Sequence, residues 1–302
     1  MASTSHRPRK RRWSLWIGIP LVAGLASAFT WVGLRSGWRT PDIVEREAAP
    51  AARWQGELTL LAVNLAKLGF HRGGLDFAPQ RILEARVDRA AQALLDREAD
   101  IVCLSEVVSC GGPVRFHQVR ALAEAAGYRY WVYLPNYDFG LPGLRVCAGN
   151  AILSKYPLRN ARGQQLAGER PFWSPTNNRR ALWCELQLGD AWLPLASIRN
   201  DSFDLANNGE QVRQLLADLG EAPALIAGDL NCTPTSAPGQ LWRSAPHLEA
   251  LDGGPATHPS EAPTRRIDDA LWPTDWQLVE HAVVDTGFSD HLGVVFRWRV
   301  PS

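Results

Sequence analysis

The chain has little cysteine, no internal repeat and, over most of its length, no surplus of basic charge. Five cysteines among 302 residues (Cys103, Cys110, Cys147, Cys184 and Cys232) are too few and too scattered for a disulfide scaffold. No C-x-x-C and no His/Cys cluster offers a zinc site. Cys103 and Cys184 lie in apolar, strand-like runs where a buried thiol is the ordinary outcome. A Cys110–Cys147 bridge stays open for an oxidising compartment. Acids are missing altogether from residues 1 to 40, which hold seven Arg or Lys. That leaves 25 bases against 31 acids over residues 41 to 302, a net charge of about −6. Such a body argues against tight, general binding of nucleic acid through its phosphates. With 46% hydrophobic and 21% charged residues the chain reads as globular, with room for one large domain or two small ones.

The basic N-terminus leads into "WSLWIGIPLVAGLASAFTWVGL", residues 13 to 34, in which only Ser14, Ser27 and Thr30 are polar. Roughly 20 apolar residues cross a bilayer core as a helix. Trp13 and Trp16 stand at one end, and Trp31 and Trp38 at the other, as interfacial aromatics do. Five basic residues precede the run, which places the N-terminus in the cytoplasm and the body outside the cytoplasmic membrane. The rival reading is a signal peptide cleaved near "ASA" at 26 to 28, giving a secreted body. The uncleaved anchor is preferred because the apolar run continues past that point. Residues 35 to 53 are polar, contain Pro and Ala and show no period, so they read as a tether. Residues 54 to 302 form the body.

From there, strand-like and helix-like stretches alternate. "ELTLLAVNL" (57 to 65), "ADIVCLSEV" (99 to 107), "YRYWVYL", "NAILSKYPL", "RRALWCELQL", "AWLPLASI", "APALIAGDL", "RIDDALW", "WQLVEHAVVD" and "HLGVVFRWRV" read as strands. Residues 81 to 98, "VRALAEAAG" and 208 to 220 read as helices, the second ending at Gly127. About ten strands are more than one small sheet carries, so two packed mixed sheets covered by helices are expected.

The polar residues fall at strand ends. Asn64 interrupts the first strand, Glu106 follows "IVCLS", Asp229 and Asn231 end "PALIAGDL", Asp268 sits in "RRIDDALW", and Asp290 and His291 precede the last strand. Each alone also fits a local role, such as a solvated acid, an Asx turn or a buried amide. Together they belong on one rim of a sheet, where open α/β folds bind ligands. Asp229 and Asn231 are two apart, so in extended chain both face one side and Leu230 the other.

These motifs, in this order, resemble the endonuclease/exonuclease/phosphatase superfamily: "LAVNL", "IVCLSEV", "GNAILSKYPL" (149 to 158), "IAGDLN" (226 to 231), "RRIDDALW" (265 to 272) and "FSDH" (288 to 291). The resemblance covers residues 57 to 300. It implies a four-layered α/β sandwich and a Mg²⁺-dependent phosphoric ester hydrolase of nuclease or phosphodiesterase type, with Mn²⁺ as a substitute ion. Glu106 would bind the metal, with Asn64 and Asp290 beside it or its waters. Asp229 would orient or deprotonate the attacking water, and Asn231 would donate to a phosphate oxygen. His291 would act as base or phosphate donor, with Asp268 fixing its tautomer.

One position departs from the family. A histidine usually ends the strand represented here by "LPLASIRNDSF", and Arg199, with Asn200 next to it, stands in its place. Arg199 can hold a phosphate oxygen but cannot supply a proton, while Asn200 would add a hydrogen bond. Alternatively Arg199 pairs with Asp201 or Asp204. Two readings of function follow. One is a phosphoesterase acting on nucleic acid, a lipid headgroup or a small phosphate ester. The other is a weakened relative that binds a phosphorylated ligand or a protein without turnover. Retention of the other site residues favours the enzyme, and no stable protein partner is indicated.

Overall fold

A computed structural model describes residues 18–27, 39–73, 76–112, 116–141, 144–169 and 178–301. The elements run β1 (Ile43–Glu45), β2 (Glu57–Asn64), a 3-10 turn (Ala66–Gly69), the small hairpin β3 (His71–Gly73) and β4 (Asp76–Phe77), then α1 (Gln80–Asp96). Next come β5 (Ile101–Gly112), α2 (Gln118–Ala125), β6 (Tyr130–Leu141), β7 (Leu144–Ser154), β8 (Leu158–Gln165), β9 (Arg180–Leu188), β10 (Ala191–Arg199) and α3 (Leu205–Leu219). The chain closes with β11 (Leu225–Asp229), α4 (Ala237–Arg243), β12 (Leu248–Ala250), β13 (Asp268–Pro273), β14 (Gln277–Val284) and β15 (Gly293–Arg299).

Two sheets carry the structure. One has the order β1-β6-β7-β5-β2-β15-β14 and the other β12-β13-β11-β10-β9-β8. Alternation along β2 explains why they stack. Leu58, Leu60 and Ala62 enter the layer between the sheets, where Leu195, Leu225, Ala227, Trp272, Phe296 and Trp298 meet them. Leu61 and Val63 point the other way, against Val87, Leu94, Val119 and Leu122 of α1 and α2. On the far side Ala196, Ile198 and Ile226 pack against Val212 and Leu215 of α3 and Trp242 of α4. A strand covered on both faces is apolar at nearly every position, and β2 is buried at every residue after Glu57. The result is helix, sheet, sheet, helix, the expected α/β sandwich.

Two local features differ from expectation. Residues 43–45, within the stretch read as a tether, form β1 on the edge of the first sheet, with Ile43 opposite Val132. Short α4 has too few turns to show a period, and its start is set by Ser236, whose hydroxyl accepts from the Gly239 N–H. Cys147 is buried, and the register of β5 and β7 sets it opposite Cys110. At the N-terminus, residues 18–27 are helical with Ile19, Leu21 and Val22 exposed. The rest of the expected span lies outside the described residues. Among the described residues no helix is long and apolar enough to cross a membrane.

Candidate active site

Register brings the polar strand ends together. β2 and β5 run parallel with Asn64 opposite Ser105, so Glu106 lies one step further along the same margin. β10 and β11 also run parallel, with Arg199 opposite Asp229. β13 lies antiparallel to β11 and starts at Asp268, opposite Asp229. The carboxyl ends of β2, β10 and β11, the irregular midpoint of β5, which runs on to Gly112, and the beginnings of β13 and β15 therefore share one rim. Gly228 permits a close approach at this rim: its φ is +143°, and a Cβ there would lie 2.1 Å from the Ile198 carbonyl oxygen of β10. No larger residue lets β11 run this close beside β10.

Asn64 is the hub of the cluster. Its Nδ2 lies 3.0 Å from Asp229 Oδ2, 3.3 Å from Glu106 Oε1 and 3.4 Å from His291 Nε2. The Ala66 N–H donates to its Oδ1 at 2.9 Å, which fixes the amide's orientation. Ser289 ties the last loop to the same point: its hydroxyl donates to the Asn64 carbonyl at 2.5 Å and accepts from the His291 N–H at 3.1 Å. His291 Nδ1 lies 2.8 Å from Asp268 Oδ2, which also accepts from the Thr257 hydroxyl at 2.7 Å. Thr257, fully buried, accepts in turn from the Ile267 and Asp268 N–H groups.

Two cations sit on Glu106. Arg199 Nη2 is 2.6 Å from Oε1, and Lys67 Nζ pairs with Oε2. Arg199 Nε also faces Asp229 Oδ2 at 3.3 Å. Lys67 reaches Glu106 from an unusual turn, in which Ala66, Lys67 and Leu68 all have left-handed backbones with φ of 44°, 59° and 51°. Non-glycine residues held there cost on the order of 1–3 kcal/mol each. Side chains brace the turn: the Gln118 amide donates to the Lys67 carbonyl at 2.6 Å, and Arg86 Nη1 donates to the Leu68 and Gly69 carbonyls. Glu106 itself has a φ of 52°.

Electrostatics follow from these contacts. Burial alone would raise the Glu106 carboxyl, but the charges of Arg199 and Lys67 bring it down to about 2. Burial would likewise lower His291, yet its hydrogen bond to Asp268 and the nearby acid charges raise it to about 9. Burial is the main reason the Asp268 carboxyl is held up, at about 6. Since His291 titrates above Asp268, the pair stands as imidazolium and carboxylate at neutral pH.

Of the residues singled out in the sequence, Asn64, Glu106, Arg199, Asp229, Asp268 and His291 meet. Three others are placed differently. Asn231 is not in extended chain: β11 stops at Asp229, Asn231 has a φ of 50°, and its amide donates to the Asn200 carbonyl at 3.0 Å. Leu230 does pack, among the α3 and α4 side chains. Asn200 is fully buried and turns its amide to Asn208 of α3, away from Glu106. Asp290 is exposed and groups with His258 and His291, not with Glu106. Arg179 and Arg180 are buried, and Arg180 donates to the Pro135 and Arg39 carbonyls. Tyr137 is a buried β6 residue whose phenol feels the charges of Lys67, Glu106 and Arg199. Sequence reasoning missed Lys67, Thr257 and Ser289. Lys67 had one signal, as the only lysine between positions 10 and 155 of an arginine-rich chain.

Among the described residues, two groups of side chains could hold a metal ion: Asp229, Asp268 and His291, and His258, Asp290 and His291. Neither contains Glu106. Mg²⁺ needs carboxylate oxygens free to meet it in a near-octahedral shell, whereas each Glu106 oxygen already carries a cation. The donor set at Glu106 does not fit a hard divalent ion.

Comparison with known proteins agrees with this architecture. Residues 72–291 match the Endonuclease/Exonuclease/phosphatase family. The structure resembles the endonuclease/exonuclease/phosphatase from Beutenbergia cavernae (TM-score 0.65, 22% identity, covering 82% of this chain and 72% of that one). It also resembles the mannosyl-6-phosphatase Bt3783 of Bacteroides thetaiotaomicron (TM-score 0.60, 18% identity, 80% and 99%). A third similar structure is the human Nocturnin catalytic domain with bound sulfate (TM-score 0.59, 16% identity, 85% and 97%). At these identities the likeness establishes the fold. A search of curated proteins finds no match.

Proposed function

The chain belongs to the endonuclease/exonuclease/phosphatase family, and on that premise we propose that it hydrolyses phosphate esters by attack of water at phosphorus. The observation that carries this reading is the meeting of Asp229, Glu106 and His291 around one amide nitrogen of Asn64. The buried Asp229 carboxylate orients the water and takes its proton. The water oxygen bonds to phosphorus as the bond to the leaving oxygen breaks. His291, protonated at neutral pH, gives a proton to that oxygen through Nε2, while Asp268 keeps Nδ1–H in place. The Asn64 amide and the Arg199 guanidinium face the developing charge on the phosphoryl oxygens.

The test compares hydrolysis of bis-p-nitrophenyl phosphate and p-nitrophenyl phosphate by the wild type and Asp229→Ala, with and without Mg²⁺. Asp229→Ala is expected to lower kcat about 10²- to 10⁴-fold. Turnover unaffected by that substitution, or none on any phosphoester, rejects the reading. The ratio of diester to monoester activity assigns the enzyme's type.

We further propose that residues 13–34 anchor the chain with the body outside the cytoplasmic membrane. The support is the basic cluster before an apolar run and the exposed Ile19, Leu21 and Val22 of the helical stretch. Protease digestion of intact spheroplasts should then remove the body. Protection until lysis would place it inside.

A further inference from the structure

We propose that Lys67 and Arg199 together take the place of a divalent ion at Glu106, so that the chain binds a phosphoryl group at this position without metal. The inference rests on the phosphoester reading for the identity of the anion. Its basis is the occupancy of Glu106. Arg199 Nη2 holds Oε1 at 2.6 Å and Lys67 Nζ holds Oε2, so two unit positive charges stand where one doubly charged ion would. A Mg²⁺ ion added beside them would meet both cations at close range and gain only one shared carboxylate, an unfavourable balance in a partly buried setting.

The pair is a built feature. Lys67 is delivered by three consecutive left-handed residues, braced by Gln118 and Arg86. Arg199 is delivered by the end of β10, whose register with β11 also sets Asp229. Both cations keep donors for a ligand. Arg199 meets Glu106 through Nη2 and faces Asp229 through Nε, fewer contacts than the five N–H groups of a guanidinium, and an ammonium has three N–H groups of which Glu106 takes one. The Arg199 and Lys67 side chains are 15% and 22% exposed, so a small anion reaches them from the rim. A guanidinium and an ammonium are the ordinary protein ligands of phosphate oxygens. Neither exchanges with solvent, so the site is charged before substrate arrives.

The experiment uses the full chain and two readouts besides turnover. Titration calorimetry with inorganic phosphate in excess EDTA is expected to show binding. Arg199→Ala and Lys67→Ala should each weaken it about tenfold or more, while Arg199→Lys retains most of it. Mn²⁺ binding followed by electron paramagnetic resonance is expected to be unchanged by Glu106→Gln in the wild-type background. The double variant Lys67→Ala/Arg199→His should gain a Mn²⁺ site that Glu106→Gln removes. Wild-type Mn²⁺ binding that Glu106→Gln abolishes overturns the proposal, as does phosphate binding that appears only with Mn²⁺. Phosphate bound in EDTA by a protein without turnover would leave this inference standing and defeat the hydrolase reading. Hydrolysis abolished by EDTA and restored by Mn²⁺ would do the reverse.

Discussion

At Asp268 one carboxylate oxygen serves two partners, the Thr257 hydroxyl and the His291 ring. Both are buried, so neither has water to fall back on. Burial pushes His291 toward its neutral form, and the hydrogen bond to Asp268, with the charge of that carboxylate and those of Asp229 and Asp290, holds its proton up to about 9. Asp268→Asn keeps the shape and removes the charge. The His291 pKa is then expected to fall to about 6.5 or below, the unperturbed value, and hydrolysis near pH 7.5 to fall roughly 10²-fold for want of a proton donor. Titration of the His291 imidazole by NMR checks the first outcome, and the pH–rate profile of the variant checks the second. An unchanged imidazole pKa would remove Asp268 from the role given to it here.

Elements explain why some of this was legible in the chain and some was not. Strand β2 is apolar because both its faces are covered, and its one polar residue near the rim, Asn64, stands out by contrast. The same contrast marks Glu106 and Asp229. Asn231 failed for a physical reason: the argument from alternation needs extended backbone, and β11 ends two residues too soon. Lys67 was hidden because nothing local announces three left-handed non-glycine residues in a row; their support comes from α1 and α2, through Arg86 and Gln118. Thr257 was hidden because its partner is a side chain eleven residues away on another element. Gly228 carries the clearest demand at this scale. Gly228→Ala would force a Cβ to within 2.1 Å of the Ile198 carbonyl at a φ of +143°. A loss of roughly 2–4 kcal/mol is expected from strain and displacement of β11. Denaturant unfolding would measure it, and a change under 0.5 kcal/mol would mean that the two strands do not need this approach.

For the molecule as a whole, the site is the polar seam that closes the rim of the sandwich. Asn64, Glu106 and His291 belong to the first sheet or its loops, and Asp229, Arg199 and Asp268 to the second. Three contacts cross between them: Asn64 to Asp229, Glu106 to Arg199, and His291 to Asp268. Elsewhere between the sheets the contacts are apolar or are hydrogen bonds to backbone carbonyls, such as Ser197 to Leu104 and Asn150 to Ser197, so the stability of this rim depends on pH as that of the layer behind it does not. His291 is raised in the folded state from an ordinary value near 6.5 to about 9. The folded chain therefore holds this proton more tightly than the unfolded chain, and the linked stabilisation is complete below pH 6.5. It is lost as pH rises through 9. Glu106 runs the other way: lowered to about 2, its contribution is present above about pH 4.5 and is lost only as pH falls through 2. Between pH 6.5 and 9, then, Glu106 is silent and His291 dominates the seam. The unfolding midpoint of the wild type is expected to fall by several degrees across that interval, from a loss on the order of 2 kcal/mol. Asp268→Asn should flatten the slope, because its His291 has little raised affinity left to lose. Thermal unfolding of both proteins at half-unit steps of pH makes the comparison. Parallel slopes would show that the two sheets are not joined at this edge by a charged histidine.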